Sequence, residues 1–376
     1  MSRAYQICNR CVMDTTDPII TFDQEGNCNH CTEFINKRSK HKYQGAETDA
    51  QFKQLIQKIK EEGKGKPYDC IVGLSGGIDS SYVAYICKQN GLRVLAVHLD
   101  NGWNSEEAVQ NIKNIARKLE IDYESYVLDW EEFRDIQLAF LKASVPEAET
   151  PTDIAIPAAM HKIAAKYGVK NIISGGNFAT EGILPKHWHY NAKDTKYFSF
   201  IHKKFGLKKR KTFPFFGFEQ EMYYKLVKGI KIIYLLNYVP YAKNEAMELL
   251  KKELDWKYYG GKHYESKYTG FIQSFYLFNK FKIDYRRATF ASLICTGEVT
   301  RDEALEELKK LPYTDEKVKE EKAYIAKKLG VSLEEFEQIL YLPPKWYSDY
   351  PNDEKKLQYI YDTYRKIFKK EKLGSF

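Results

Sequence analysis

Through the middle of the chain, apolar residues alternate between two rhythms. Short segments at Cys70–Leu74, Arg93–Leu99, Tyr123–Leu128 and Val169–Ser174, the first an apolar run and the others rich in apolar residues, predict strands. Between them, apolar positions recur at helical spacing over Ile78–Asn90, Glu106–Leu119, Glu131–Lys142 and Ile154–Tyr167. This alternation predicts an α/β fold, a doubly wound parallel sheet with right-handed crossovers and its ligand beyond the carboxyl ends of the strands. On either side the rhythm is lost. Residues 46–66 read as a linker helix running into a Gly-Lys-rich stretch before Pro67. Residues 201–311 are rich in aromatic and basic side chains, and residues 312–376 form a Lys/Glu-rich helical tail. The chain therefore divides at 1–45, 46–66, 67–200, 201–311 and 312–376. Its longest apolar candidate, Ile230–Val239, is broken by Lys231 and Asn237 and is too short to span a membrane.

One strand-to-helix turn carries specific chemistry. Ser75-Gly76-Gly77-Ile78-Asp79-Ser80 joins the first strand to the first helix. A helix that opens just after glycines presents unpartnered N–H groups and the positive end of its dipole, which is an anion site. The glycines admit a phosphate to the backbone, and Ser75 and Ser80 add hydroxyls. No lysine stands where the GxxxxGK[ST] loop places one, which argues against transfer of a terminal phosphoryl group. An ordinary glycine turn would leave both serines and Asp79 as coincidences.

Cysteine spacing gives a second signal. Four of the seven cysteines form Cys8-x-x-Cys11 and Cys28-x-x-Cys31, with sixteen residues between the pairs. That spacing predicts a four-thiolate zinc ribbon, closed and hence structural, with His30 a bystander. Cys70, Cys87 and Cys295 read as packing residues.

The net charge of +8 and the 29 tyrosines and 21 phenylalanines raise a nucleic-acid surface as a question. The lysines, however, interleave with glutamates as on a solvated helical face. Only His202–Lys211 is a concentrated basic run; a solvated loop and a polyanion site are equal readings there, with nucleic acid third. Met1–Tyr5 lack an apolar secretory core, so a cytoplasmic address and no membrane partner are expected.

Ser75–Ser80 resembles the SGGxDS loop of the PP-loop ATP pyrophosphatases, which have a HUP-type, adenine nucleotide alpha hydrolase-like fold. Those enzymes cleave ATP to AMP and pyrophosphate. The resemblance implies that His98 and Asp100, where the second strand ends, and Gly175 and Asn177, after the fourth, hold adenosine and flank the pyrophosphate. With Ser75, Gly76, Gly77, Asp79 and Ser80 they make up the expected nucleotide site, and Asp79 is expected to help hold Mg2+. Basic residues further on suit the charge of a leaving pyrophosphate: Lys262, His263, Lys280, Arg287 and Arg301. For Arg301 the plainer reading, the start of a charged helix capped by Thr300, weighs equally.

Over most of its length the chain resembles the N-acetyl sugar amidotransferase family, the WbpG/PseA-type enzymes of O-antigen and pseudaminic acid synthesis. The resemblance is carried by CNRCVMDTTDP (8–18), FDQEGNCNHC (22–31), GLSGGIDSS (73–81), KHYES (262–266) and KFKIDYRRATFASLICTGEVTRDEAL (280–305). It implies ATP-dependent conversion of an acetamido group on a nucleotide-activated sugar to an acetamidino group, with residues 201–311 as the substrate region. The amide oxygen would take the adenylyl group, ammonia would attack the activated carbon, and AMP would leave. Position 2 is Ser2 rather than a cysteine nucleophile, and no glutaminase is evident. The resemblance implies a separate HisH-like glutaminase with a HisF-like companion as ammonia conduit. A PP-loop tRNA-thiolating enzyme is the alternative, and a non-enzymatic interaction module ranks below both.

Overall fold

The computed structural model describes residues 3–41, 45–260 and 264–368, the side chains of 38–41 excepted. Five parallel strands form one sheet: β1 (Cys70–Gly73), β2 (Val94–Asp100), β3 (Asp122–Val127), β4 (Asn171–Ser174) and β5 (Lys231–Tyr234). Their order is β3-β2-β1-β4-β5. The chain winds outward from β1 to β3, returns to β4 on the other side of β1, and winds outward again. The switch point therefore lies between the ends of β1 and β4, where such sheets open a crevice.

Alternation along the central strands feeds two cores. Cys70 and Val72 of β1 point into one layer with Val94, Ala96 and Ile173, and Ile71 points into the other with Leu95, Val97 and Ile172. The helices Ala46–Glu62, Ile78–Gln89, Glu106–Lys118 and Lys243–Leu254 cover the first layer, and Thr150–Lys166 covers the second. Both faces of the central strands are thus covered, the reason they read as continuous apolar runs.

The four expected strands are present. β5 was not anticipated: at the sheet edge it buries only Ile233 fully, so Lys231-Ile232-Ile233-Tyr234 shows no clean period. Beyond β5 the chain is helical, with Tyr285–Thr296, Arg301–Lys309, Asp315–Leu329, Leu333–Leu340 and Glu354–Ile367 among its elements. The first four of these share a third core with the N-terminal cysteines. Among the described residues no helix is long and apolar enough to cross a membrane.

Candidate functional site

The phosphate loop is a self-bonded turn. The Gly77 amide donates to Ser75 Oγ (3.2 Å), Ser75 and Ser80 hydroxyls meet at 3.1 Å, and Ser80 and Ser81 both donate to the Gly77 carbonyl. Gly76 lies at φ +83° behind the turn, and a Cβ there would stand 2.5 Å from the Ala108 carbonyl oxygen. Its own carbonyl accepts from Trp256 Nε1 at 2.9 Å and Asn111 Nδ2 at 3.3 Å. Gly76 therefore shapes the loop from behind while Ser75, Gly77, Asp79 and Ser80 face the cavity.

The end of β4 closes against this loop. A Cβ on Gly175 would lie 2.8 Å from the Ser80 amide nitrogen, so only glycine lets the end of β4 meet the first turn of the helix Ile78–Gln89. Gly175 and Gly176 line the cavity. Asn177 is 1% exposed and caps the short helix after β4, its Oδ1 accepting from the Thr180 amide at 2.9 Å. Asn177 shapes this wall instead of facing the ligand.

The remaining walls of this 220 Å³ cavity come from residues the sequence did not single out: Thr180, Glu181, Lys243, Tyr259, Glu265 and Thr289. Asp79 accepts a hydrogen bond from the Tyr241 hydroxyl, and Tyr259 donates to Glu265. Glu265 also ties this wall to the β2 side, since its carbonyl accepts from the Ser105 amide at 2.8 Å. The Tyr241–Asp79 and Ser105–Glu265 contacts join residues far apart in sequence and have no local signature, although Glu265 and Thr289 lie inside the quoted segments 262–266 and 280–305.

Several expected nucleotide or catalytic residues have other partners. His98 Nδ1 bonds the Leu74 carbonyl at 2.9 Å, and its Nε2 lies 2.9 Å from Asn104 Nδ2. Burial lowers its pKa, so the neutral ring braces the start of the loop. Asp100 accepts from the Gly102 amide at 2.9 Å, and neither it nor His98 lines the cavity. Lys280 donates to Ser144 Oγ at 2.7 Å and stacks on Tyr276. Arg287 pairs with Asp14 at 3.1 Å and donates to the Val12 carbonyl at 2.7 Å. Arg301 donates to the carbonyls of Cys8 and Cys11, both at 3.1 Å. Lys280, Arg287 and Arg301 thus do not reach the phosphate loop, and the last two hold the cysteine-bearing segment to the helical region. Thr300 and Glu303 form the capping box of the charged helix, as the plainer reading of Arg301 expected. Lys262 and His263 lie outside the described residues.

Arg301→Ala removes hydrogen bonds to two knuckle carbonyls and is expected to cost about 2 kcal/mol of stability. Thermal unfolding should record that loss while turnover per folded molecule stays near normal. A large fall in turnover at unchanged melting temperature would return Arg301 to the chemistry.

The four cysteine sulfurs lie within 4.8 Å of one another and are all buried. Cys8 and Cys31 sulfurs are 3.7 Å apart, and those of Cys11 and Cys28 are 3.6 Å apart. A tetrahedral zinc with bonds of about 2.3 Å would set its sulfurs about 3.8 Å apart, so the donor set fits. Amides of Cys11, Cys28 and Cys31 point at ligand sulfurs, and Arg10 Nη1 lies 3.8 Å from Cys31 Sγ, all favouring thiolate. Cys295 hydrogen-bonds Cys31, so it packs on the cluster from the helix Tyr285–Thr296.

Behind the phosphate-loop cavity, Glu149 accepts from Thr269 Oγ1 at 2.6 Å, and burial, reinforced by Asp153, pushes it up to about 8. Between the ordinary carboxyl range and that value the native state holds a proton the unfolded chain has lost. Stability therefore falls as pH rises through this window. Glu149→Gln mimics the neutral acid. Its melting temperature should match wild type near about pH 5 and exceed it by several degrees above about pH 8. A pH-independent difference would contradict this.

Two family models match the chain. One, for NAD synthase, matches residues 47–153, and the other, for the C-terminal domain of WbpG-like lipopolysaccharide-biosynthesis proteins, matches residues 265–367. The first covers the phosphate loop and defines the class: a PP-loop protein, of a class whose members are ATP-using synthetases and ligases. With the second match, a WbpG-like C-terminal region follows the PP-loop region in the same chain. Among curated proteins, it is 26% identical over 140 residues to the Caenorhabditis elegans protein named probable mitochondrial tRNA-specific 2-thiouridylase 1, covering 33% of this chain and 36% of that one. It is 30% identical over 144 residues to the tRNA-specific 2-thiouridylase MnmA of Nitratiruptor, covering 36% and 42%. The matches thus span less than half the length of these relatives. Among solved structures, NMN synthetase from Francisella tularensis aligns at 16% identity and a TM-score of 0.29, covering 57% of this chain and 98% of that one.

Proposed function

We propose that the protein is the synthetase component of an ATP-dependent amidotransferase that converts an acetamido group of a nucleotide-activated sugar to an acetamidino group. One observation carries this reading. A second cavity of 760 Å³ adjoins the phosphate-loop cavity, sharing Thr180, Glu181, Lys243, Thr289 and Leu293 with it. Most of its remaining wall comes from the WbpG-like region, including Gln273, Asp284, Arg286, Phe290 and Tyr313. In this reading the WbpG-like region lines the acceptor chamber, and the adjoining phosphate-loop cavity takes ATP.

In this reading the loop amides and the Ser75 and Ser80 hydroxyls hold the outer phosphates of ATP. The acetamido oxygen attacks the α-phosphorus and pyrophosphate leaves. Ammonia then adds to the imidate carbon, and the C–O bond breaks to release AMP and a proton. An amide oxygen is a very poor leaving group and an adenylate a good one, so positioning and charge stabilisation suffice without a protein nucleophile. Mg2+ beside Asp79 would neutralise developing phosphate charge, and Cys8, Cys11, Cys28 and Cys31 would hold a structural Zn2+. Ammonia is expected from a separate HisH-like glutaminase, with a HisF-like companion, in the cytoplasm.

The curated relatives favour a second reading, tRNA thiolation. That chemistry commonly needs a cysteine at the nucleotide site. Cys70 and Cys87 are fully buried in the first core, Cys295 packs on the cysteine cluster, and no cysteine lines either chamber. Incubation with ATP, ammonium chloride and a panel of diacetamido nucleotide sugars separates the two readings. AMP release should require both the sugar and ammonium. A requirement for tRNA and a sulfur donor would favour thiolation instead.

A further inference from the structure

The larger chamber has chemically different parts. One shares Glu181, Lys243 and Thr289 with the phosphate loop. Elsewhere on its wall Tyr264 and Tyr313 pack edge to face, with ring centroids 5.6 Å apart. The Lys317 ammonium sits over both rings, 4.3 Å from one centroid and 4.5 Å from the other. Tyr264 is fixed by Ser274, 3.1 Å from its hydroxyl, on a π-helical stretch, Ile272–Phe281.

Another cation of this wall is already engaged. Arg286 makes a forked pair with Asp284, with Nη2 2.7 Å from Oδ2, and also donates to the Lys310 carbonyl at 2.8 Å. Lys317, by contrast, forms no ion pair among the described residues. An ammonium resting on aromatic faces in a chamber wall is held in place without a direct ion pair, with Glu321 of the same helix as an acidic neighbour acting through space. It is a receptor for phosphate, and the rings beside it offer flat surface to a base.

We infer that the Tyr264–Tyr313–Lys317 corner seats the nucleotide end of the acceptor, with phosphate on Lys317 and the base against the tyrosines, so that the sugar projects toward Glu181, Thr289 and the phosphate loop. This rests on the proposed amidotransferase reading and adds the acceptor's orientation to it. A volume of 760 Å³ is ample for a nucleotide and a sugar in line. The shared chemistry is a nucleoside phosphate, and both a UDP and a CMP carrier supply it.

The test is calorimetric titration of the full-length protein with UDP and, separately, CMP, with the ATP site filled by an α,β-methylene ATP analogue. At least one nucleotide should bind. Lys317→Ala should weaken that binding by about tenfold, and Lys317→Arg should largely restore it. Steady-state kinetics should show the same rise in KM for the nucleotide sugar at unchanged KM for ATP. Failure of both nucleotides to bind overturns the inference, as does equal binding to wild type and Lys317→Ala. The amidotransferase reading fails separately: UDP or CMP binding that depends on Lys317, with no AMP formed from any acetamido sugar, would leave the subsite standing and remove the reaction.

Discussion

Asp79→Asn is expected to slow pyrophosphate release by about a hundredfold or more while the protein stays folded. Asp79 stands in the first turn of the helix Ile78–Gln89, lines the phosphate-loop cavity and accepts from the Tyr241 hydroxyl. Asparagine keeps that shape and removes the negative charge. In the proposed mechanism that charge holds a divalent cation against the phosphates, so its loss acts mainly on the transition state and lowers kcat more than it raises the KM for ATP. Circular dichroism and thermal unfolding should be close to wild type. Near-normal turnover in the variant would remove Asp79 from the site.

Cys28→Ser is expected to abolish stoichiometric metal binding and to lower the melting temperature by ten degrees or more, because folding of such a site is coupled to about ten or more kcal/mol of metal affinity. The consequence should reach the acceptor chamber. Arg287 and Cys295 sit on the helix Tyr285–Thr296 and face the cysteine segment, while Tyr285, Ala288, Thr289 and Leu293 of the same helix line the chamber. Losing the metal frees one side of that helix. The KM for the nucleotide sugar should rise with little change in that for ATP, and prolonged chelator treatment of wild type should reproduce the pattern. Metal analysis, thermal unfolding and kinetics on the same sample decide it. A metal-free protein with wild-type stability and acceptor affinity would contradict the role given to the ribbon.

What was legible in the sequence was local. Ser75–Ser80 is contiguous, and its chemistry follows from a strand end, two glycines and a helix start. The cysteine pairs are each a single turn, and their spacing alone implies four converging sulfurs. Buried strands β1, β2 and β4 announce themselves because both faces are covered. β5 does not: it is four residues long, opens on Lys231 and buries only Ile233, so it shows neither an alternating nor a continuous apolar pattern.

The rest depends on which distant groups meet. Arg287 and Arg301 looked like phosphate ligands because basic clusters near an ATP domain commonly are. A guanidinium also binds neutral carbonyl oxygens, and the knuckle carbonyls of Cys8 and Cys11 claim Arg301. His98 lies near the end of β2, yet the Leu74 carbonyl and Asn104 take its two nitrogens. Conversely, Glu181, Lys243, Tyr259 and Thr289 are scattered over separate elements, and only the packing of the helical region on the sheet brings them to one cavity.

The central claim is that an acetamido oxygen becomes bonded to the α-phosphorus of ATP. The most direct measurement is the fate of an isotopically heavy acetamido oxygen in the nucleotide sugar, followed by mass spectrometry of the nucleotide after turnover with ATP and ammonium. The account predicts that the label appears in the phosphate of AMP, one atom for each amidine formed, and that pyrophosphate carries none. Label found in orthophosphate beside ADP, or retained in the sugar while AMP accumulates, would contradict it.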